Sequence, residues 1–184
     1  MSDEAGLLVR DALPEERGEA ARLSIQAYSE YQESYDLDFW AGYKQSMQDL
    51  WLQEDLPAER IAAFRDGRLL GCLLLYPPVD RLYEKLEATI PYHEIRLLAV
   101  HPDARGQGIA TRLIRECTKR ARHSGAPFLG LHTTSQMRAA VRLYRRLGFE
   151  RAPEFDFPGS DASTVVEAYR LPIADGQALL TAVP

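Results

Sequence analysis

The stretch EIRLLAVHPDARGQGIATRLI, residues 94–114, joins two patterns through a short turn. Its first seven residues are mostly apolar and suit a strand, while the apolar residues after Gly108 recur with the 3.6-residue period of a helix. Gly106 and Gly108 lie at the junction. Backbone N–H groups at a helix start lack intrahelical partners and carry the positive end of the helix dipole. Such a junction is therefore able to bind an anion.

An ordinary loop before a helix is the alternative interpretation, because paired glycines are common in turns. The stretch lacks the Lys-Ser/Thr ending of a P-loop and the third glycine of a dinucleotide fingerprint. It therefore predicts a phosphate cradle of another kind, in which main-chain amides donate and small residues leave room for the anion. The predicted donors are Gly106, Gln107, Gly108, Ile109, Ala110 and Thr111.

Strand and helix patterns continue on the N-terminal side of this stretch. Residues 7–11 predict a strand, and residues 13–31 predict a helix with Pro14 at its start. The apolar spacing between residues 36 and 55 predicts a second helix. Two apolar runs joined at Asp66-Gly67 predict a β-hairpin. Residues 79–93 are ambiguous and are consistent with a short helix followed by a turn at Pro91.

On the C-terminal side of this stretch, strand and helix patterns alternate again. We expect a strand over residues 127–134, a helix over 137–147 ended by Gly148, and a closing strand over 165–171 after a polar loop. This order predicts an α/β or α+β domain with a mixed sheet. The length of 184 residues suits a single domain over residues 1–184, with a C-terminal tail from about residue 173 to residue 184.

Composition excludes several classes of function. A formal net charge of -5 disfavours nucleic-acid binding, and no apolar run approaches the length of a membrane span, so we expect a cytoplasmic protein that binds neither nucleic acid nor membrane. Cys72 and Cys117 are interpreted as small core residues rather than as a disulfide. The four histidines show no metal-ligand spacing, and no metal is predicted.

Two blocks, Arg105-x-x-Gly108-x-Ala110 and residues 139–149, together resemble the GNAT superfamily of acetyl-CoA-dependent N-acetyltransferases. Arg105-x-x-Gly108-x-Ala110 matches that family's Q/R-x-x-G-x-G/A signature, and AAVRLYRRLGF, residues 139–149, resembles its A-x-x-L-Y-x-x-L-G-F block. The resemblance implies a mixed, mostly antiparallel central sheet with a splayed strand pair and helices on both faces. It also implies acetyl-CoA (coenzyme A) as the cosubstrate, with no metal.

The resemblance further implies which residues bind the cosubstrate. The main chain of Leu98, Ala99 and Val100 would hydrogen-bond the pantetheine arm as an added strand does. Arg105 would add a charged contact, although a solvated turn residue is the alternative. Family members frequently carry Asn at the position of Met137, so a polar contact to the cosubstrate is lost there unless Thr133, Thr134 or Ser135 replaces it.

Two side chains are candidates for catalysis. Tyr144 matches the tyrosine that in this family often donates a proton to the leaving sulfur, while a core tyrosine is the alternative. Glu94 precedes Leu98 by four residues, so the alternation of a strand predicts both on one face. Some family members use a Glu at this position as the general base, whereas a solvated carboxylate is the alternative. His132 and His93 are weaker candidates for the base.

The acceptor is less defined by the sequence. The leading hypothesis is an enzyme that acetylates a primary amine of a small molecule or peptide by direct attack in a ternary complex. The alternatives are a protein lysine or N-terminal acetyltransferase and a non-catalytic acyl-CoA-binding sensor. Seven aromatic residues between Tyr28 and Trp51 suit either an acceptor pocket or core packing. A homodimer is consistent with the resemblance, by analogy alone.

Overall fold

The chain begins with a strand and two helices. The computed structural model describes residues 6–80, 82–159 and 164–173. Its first elements are strand β1 (Leu8–Asp11), helix α1 (Arg17–Tyr28) and helix α2 (Leu37–Leu52). The helix predicted over 13–31 is shorter, because 3-10 turns at Pro14–Glu16 and Ser29–Ser34 flank α1. Helix α2 begins where the Asp36 carboxylate accepts a 2.8 Å hydrogen bond from the Phe39 amide, as N-caps do.

The predicted hairpin is confirmed. Strand β2 (Glu59–Arg65) and strand β3 (Arg68–Tyr76) pair antiparallel. The two turn residues, Asp66 at φ 51° and Gly67 at φ 76°, are both left-handed. This backbone matches the twist of the flanking strands and suits Asp-Gly, so the dipeptide predicted the turn correctly.

The remaining elements follow an irregular segment. Residues 77–80 and 82–92 contain neither helix nor strand, so the short helix considered for 79–93 does not form in the described part of this segment. The elements after it agree with the predicted order. They are β4 (His93–Val100), α3 (Ile109–His123), β5 (Phe128–Thr134), α4 (Arg138–Arg146), β6 (Glu150–Arg151), β7 (Phe157–Pro158) and β8 (Val165–Pro172).

The chain divides into two compact units. The first takes residues up to 75 with 96–114, and the second takes 76–95 with residues from 115 onwards. In the first unit β1, β2 and β3 form an antiparallel set. In the second unit β4 pairs parallel with β5 over His93–Ile95, and β8 pairs antiparallel with β5, β6 and β7. The predicted mixed, mostly antiparallel α/β class is confirmed.

The first unit buries a short polar chain beneath its helices. The Trp51 indole donates a 2.9 Å hydrogen bond to the Ser24 hydroxyl, which lies 3.6 Å from the Cys72 sulfur. Burial raises the pKa of the Cys72 thiol to about 12, so it stays a neutral core residue as predicted. Cys117 is likewise buried and forms no disulfide among the described residues.

The second unit has its own apolar cluster in the irregular segment. Leu86, Ile90 and Tyr92 are almost fully buried, and partly buried apolar side chains pack against them. These are Leu82, Tyr83, Phe128, Phe155 and Phe157. The cluster fixes the segment before β4 without regular secondary structure. The tail predicted from about residue 173 onwards lies outside the described residues, apart from Ile173. No helix among the described residues is both long and apolar enough to cross a bilayer.

Candidate functional site

The glycine junction has the backbone of an anion cradle. Gly106 (φ 76°) and Gly108 (φ 77°) are both left-handed, and helix α3 begins at Ile109. A Cβ atom built on either glycine would meet nothing within 4 Å, so open space lies in front of both. The Arg112 amide donates to the Gly108 carbonyl at 3.0 Å, and the amides before it belong to the first turn, where intrahelical acceptors do not exist. The residues therefore fit a diphosphate group.

The side chains around the glycine junction contact other residues of the first unit. The Arg105 guanidinium donates to Glu30 Oε2 at 2.6 Å and to the Ala27 carbonyl at 3.4 Å, beside the end of α1. Gln107 accepts from Arg65 at 2.7 Å and donates to the Asp103 carbonyl at 3.2 Å. Arg105 is thus paired with a carboxylate on the protein.

Strand β4 contains a strained residue in its middle. Leu97 has φ 52° and is buried, and a leucine in the left-handed region costs about 1–2 kcal/mol. The residue departs from extended backbone, although buried and half-buried residues still alternate from Ile95 to Val100. That Glu94 and Leu98 share one face stays a prediction. The strain is stored in the strand segment whose main chain was predicted to bind the pantetheine arm, Leu98, Ala99 and Val100.

Glu94 lies in the interior, contrary to the solvated alternative. Its side chain is 1% exposed and contacts His132, whose side chain is 3% exposed. Glu94 Oε1 lies 2.5 Å from His132 Nδ1 and accepts a 3.0 Å hydrogen bond from the Tyr83 hydroxyl. Glu94 Oε2 is buried and has no hydrogen-bond partner among the described residues. The structure therefore brings together two of the three predicted base candidates.

The register of β4 and β5 creates this contact. Glu94 pairs with Gly130, and His132 follows two residues later on β5. A side chain on Gly130 would collide with Glu94 Oε2 and with the Tyr92 ring, so the glycine leaves the space that the carboxylate occupies. The third candidate, His93, lies 3.4 Å through Nε2 from the Ser124 hydroxyl and is not part of the Glu94 contact.

His132 is held on its other side by the turn after β6. Its Nε2 lies 2.9 Å from the Phe155 carbonyl. Next to this turn, Asp156 accepts two hydrogen bonds from Arg151, at 2.9 and 2.7 Å, and one from the Ala168 amide at 2.8 Å. Burial alone would raise the pKa of Asp156, but these hydrogen bonds outweigh it and lower the pKa below its ordinary value.

Tyr144 and Met137 lie on the helix that follows β5. Tyr144 is 7% exposed, and its ring packs 5.7 Å from the Phe149 ring. Met137 caps the start of α4, and its sulfur accepts a 3.4 Å hydrogen bond from the Thr133 hydroxyl. Thr134 Oγ1 is buried with no partner among the described residues. Of the three residues considered as replacements for the missing Asn, Thr134 therefore has an unused hydroxyl.

The aromatic residues of the first unit pack mainly on one another. Tyr35 stacks on Trp40 at a centroid distance of 6.4 Å, and Tyr28 meets Tyr43 edge to face at 6.0 Å. Burial raises the pKa of Tyr31 to about 12, and it also raises the pKa of Tyr43. These phenols are therefore neutral. The mutual packing favours a structural role for much of this set, and an acceptor pocket stays a prediction.

The sequence did not identify Tyr83. This residue lies in the irregular segment, 11 positions before Glu94, and contacts it through its hydroxyl. Its ring packs 4.6 Å from His132 and 4.9 Å from Phe157. The only signal available was a tyrosine in an ambiguous stretch, which gives no reason to expect a contact with a strand residue.

Comparison with known proteins gives a family match. The model of the Acetyltransferase (GNAT) family matches residues 24–149. A mycothiol acetyltransferase of Thermomonospora curvata is 32% identical over 114 residues, which cover 56% of this chain and 35% of the relative. The N-alpha-acetyltransferase RimI of Mycobacterium tuberculosis is 34% identical over 100 residues, which cover 52% of this chain and 59% of RimI. The chain thus spans about a third of the first relative and about three fifths of the second.

Solved structures share the fold at low identity. An acetyltransferase of the GNAT family from Desulfovibrio desulfuricans has a TM-score of 0.69 and 20% identity, covering 92% of this chain and 100% of the other. The PaiA N-acetyltransferase from Thermoplasma acidophilum, solved in complex with coenzyme A, has a TM-score of 0.66 and 16% identity, with 89% and 98% covered.

Proposed function

The chain belongs to the GNAT family of acetyltransferases, and we propose that it transfers an acetyl group from acetyl-CoA to a primary amine. The acceptor is a small molecule or a peptide, and the amine attacks directly in a ternary complex. The observation that carries the proposal is the pair of left-handed glycines, Gly106 and Gly108, facing open space at the start of α3. Coenzyme A bound to PaiA, a protein of the same fold, supports the same cosubstrate.

Main-chain groups would bind the cosubstrate. Amides from Gly106 to Thr111 would donate to the diphosphate, where the helix dipole also favours negative charge. The backbone of Leu98, Ala99 and Val100 would hydrogen-bond the pantetheine arm. The strain at Leu97 supports a functional role for this strand, because strained backbone persists where the surrounding structure determines it.

Two side chains would handle the protons of the reaction. The C–N bond to the acceptor forms, the C–S bond of the thioester breaks, and the amine loses one proton while the thiolate gains one. Glu94 would accept the amine proton, and the Tyr144 hydroxyl would give a proton to the sulfur. The burial of Glu94 means that the proton reaches it through another group or a water molecule, since its carboxylate is only 1% exposed.

Thiol release with a panel of amines tests the proposal. Wild-type protein is expected to release coenzyme A in the presence of at least one primary amine. Tyr144→Phe and Glu94→Gln should each lower kcat by about 100-fold or more, because general acid–base catalysis contributes about 100- to 10,000-fold. Calorimetry of coenzyme A binding is the control for folding and should be unchanged in both variants. Unchanged turnover in either variant would remove that residue from the mechanism.

A peptide N-terminus is the second candidate acceptor. The 34% identity with a protein named N-alpha-acetyltransferase RimI supports it. Peptides with a free and a blocked N-terminus, otherwise identical and lacking lysine, separate this acceptor from small amines. If acetyl-CoA raises Tm but no amine or peptide releases thiol, the acyl-CoA sensor is the better description. The cytoplasmic location and the homodimer remain predictions from the sequence.

A further inference from the structure

We propose that Tyr83 is a catalytic residue that contacts the acceptor amine and passes its proton to Glu94, with His132 as the residue that positions Glu94. This inference rests on the proposed acetyl transfer and names the group between the acceptor and the buried carboxylate. It assigns a role to a segment that the family blocks do not include.

The protons of the Glu94–His132 contact can be assigned from its neighbours. A carbonyl oxygen only accepts hydrogen bonds, so His132 Nε2, 2.9 Å from the Phe155 carbonyl, carries a proton. His132 Nδ1 and Glu94 Oε1 are 2.5 Å apart, which requires one proton between them. The pair is therefore neutral as a whole, and it fixes the carboxylate in one orientation.

The carboxylate has no direct route to an acceptor among the described side chains. Its Oε2 lies against Gly130, where a Cβ atom would collide with it. Its Oε1 contacts His132 and Tyr83. Glu94 and His132 are 1% and 3% exposed. Tyr83, which donates to Oε1, is half-buried and is therefore the more exposed member of the group.

A phenol suits the transfer because one hydroxyl both donates and accepts. As the C–N bond forms and the C–S bond breaks, the amine proton moves to Tyr83 Oη and the phenol proton moves to Glu94 Oε1. Tyr83 ends neutral and the Glu94–His132 pair gains one positive charge. The nearby Asp156 carboxylate, which is also paired with Arg151, interacts electrostatically with His132. The proton then returns to solvent through Tyr83.

The Tyr83 hydroxyl is held in place by packing as well as by its hydrogen bond. Its ring lies against the rings of His132 and Phe157, and the segment is anchored by the cluster around Leu86, Ile90 and Tyr92. Tyr83→Phe therefore removes the hydroxyl and keeps the ring contacts. Tyr92→Phe is a matched control, because Tyr92 is buried beside the same carboxylate and, among the described residues, its hydroxyl makes no hydrogen bond to Glu94.

Steady-state kinetics on an accepted amine tests the proposal. Tyr83→Phe is expected to lower kcat by about 100-fold or more while the KM for acetyl-CoA and the Tm stay close to wild type. Tyr92→Phe should retain kcat within about threefold. The Tyr83→Phe defect should shrink with weakly basic amines such as hydroxylamine, because they need less assistance in losing a proton.

The outcomes separate this inference from the proposed function. Wild-type activity together with unchanged kcat in Tyr83→Phe would overturn the role of Tyr83 and leave acetyl transfer standing. The inference would also be overturned if Tyr83→Phe lowered kcat equally with every amine, or if Tyr92→Phe lowered kcat as much as Tyr83→Phe. Either result would mean that Tyr83 has a structural role only. Wild-type protein that binds coenzyme A and acetylates no amine would overturn both.

Discussion

At the scale of single residues, Glu94 shows how neighbours determine the chemistry of a carboxylate. An isolated buried carboxylate is strongly disfavoured, and here a shared proton with His132 and a hydrogen bond from Tyr83 compensate one oxygen only. The other oxygen is buried without a partner among the described residues. Neither contact was predictable, because His132 is 38 residues from Glu94 and the strand register brings them together.

Asp156 gives a residue-scale prediction about pH. Its lowered pKa means that the native state binds fewer protons than the unfolded chain below neutral pH. Its stabilising effect is therefore complete above the unfolded pKa of about 3.9 and is lost as pH falls through the lower native value. Asp156→Asn should reduce the free energy of unfolding by about 1–3 kcal/mol at neutral pH, and the difference should vanish in acid.

Urea unfolding at a series of pH values measures this difference. Asp103→Asn is the control, because Asp103 is 78% exposed and its ion pairs with Arg68 and His101 are 3.8 Å long. It should change the free energy of unfolding by less than about 0.5 kcal/mol at every pH. A difference between wild type and Asp156→Asn that is the same at neutral and acid pH would contradict the assignment.

The ion pair of Arg105 gives a second residue-scale prediction. Glu30 holds the guanidinium at 2.6 Å, and both side chains are about two-fifths exposed. If Arg105 also contacts the diphosphate, Glu30 competes for it, so Glu30→Gln should tighten coenzyme A binding by up to about fivefold. Glu33→Gln, which removes the same charge from the same turn, should have a smaller effect. The measurement is calorimetric titration.

A double-mutant cycle decides whether Arg105 is responsible. Arg105→Ala should weaken coenzyme A binding, and adding Glu30→Gln to it should then change nothing further. If Glu30→Gln tightened coenzyme A binding equally with and without Arg105, the gain in affinity would come from the loss of a negative charge and not from Arg105. In that case the pairing of Arg105 with Glu30 has no part in coenzyme A binding.

At the scale of elements, the sequence predicted what local chemistry determines. Asp66-Gly67 specified a hairpin because its backbone conformation suits few other residues, and the 3.6-residue period after Gly108 specified α3. The sequence could not specify residues 82–92, because an apolar cluster rather than backbone periodicity organises them. It also gave no indication of the left-handed Leu97, since leucine has no preference for that conformation.

The contact between β3 and α3 gives an element-scale prediction. A Cβ atom on Gly71 would lie 2.8 Å from Ile109 Cγ2 and 3.1 Å from the Ala99 carbonyl, so the helix start approaches the strand closely. Gly71→Ala should cost about 1–3 kcal/mol in urea unfolding, the usual range for an overpacked core. Gly42→Ala is the matched control. Gly42 lies in α2 with nothing within 4 Å of its Cβ position.

The two substitutions should have opposite signs. Alanine at position 42 raises helix propensity without a collision and should stabilise the protein by about 0.5–1 kcal/mol. If Gly71→Ala were neutral, β3 and α3 would pack less closely than described. If both substitutions destabilised equally, the effect would come from the loss of glycine itself.

At the scale of the whole molecule, a chain with net charge -5 is proposed to bind an anionic cosubstrate. The net negative charge of the chain opposes that binding, so local backbone donors have to provide the binding free energy. Coenzyme A at about 100 times its Kd should add about 2.7 kcal/mol to the free energy of unfolding, which corresponds to a rise in Tm of about 5–10 °C. Pantetheine, which lacks the diphosphate, should raise Tm far less at the same concentration.

The glycines of the cradle provide the variants that isolate this effect. Gly108→Val and Gly125→Val both place a branched residue at a left-handed position, φ 77° and 73°, with nothing within 4 Å of the Cβ position. Each should lower Tm through backbone strain of about 1–2 kcal/mol. Only Gly108→Val should also abolish the rise in Tm with coenzyme A, because its side chain occupies the space for the diphosphate. An equal rise in both variants would mean that the anion binds elsewhere.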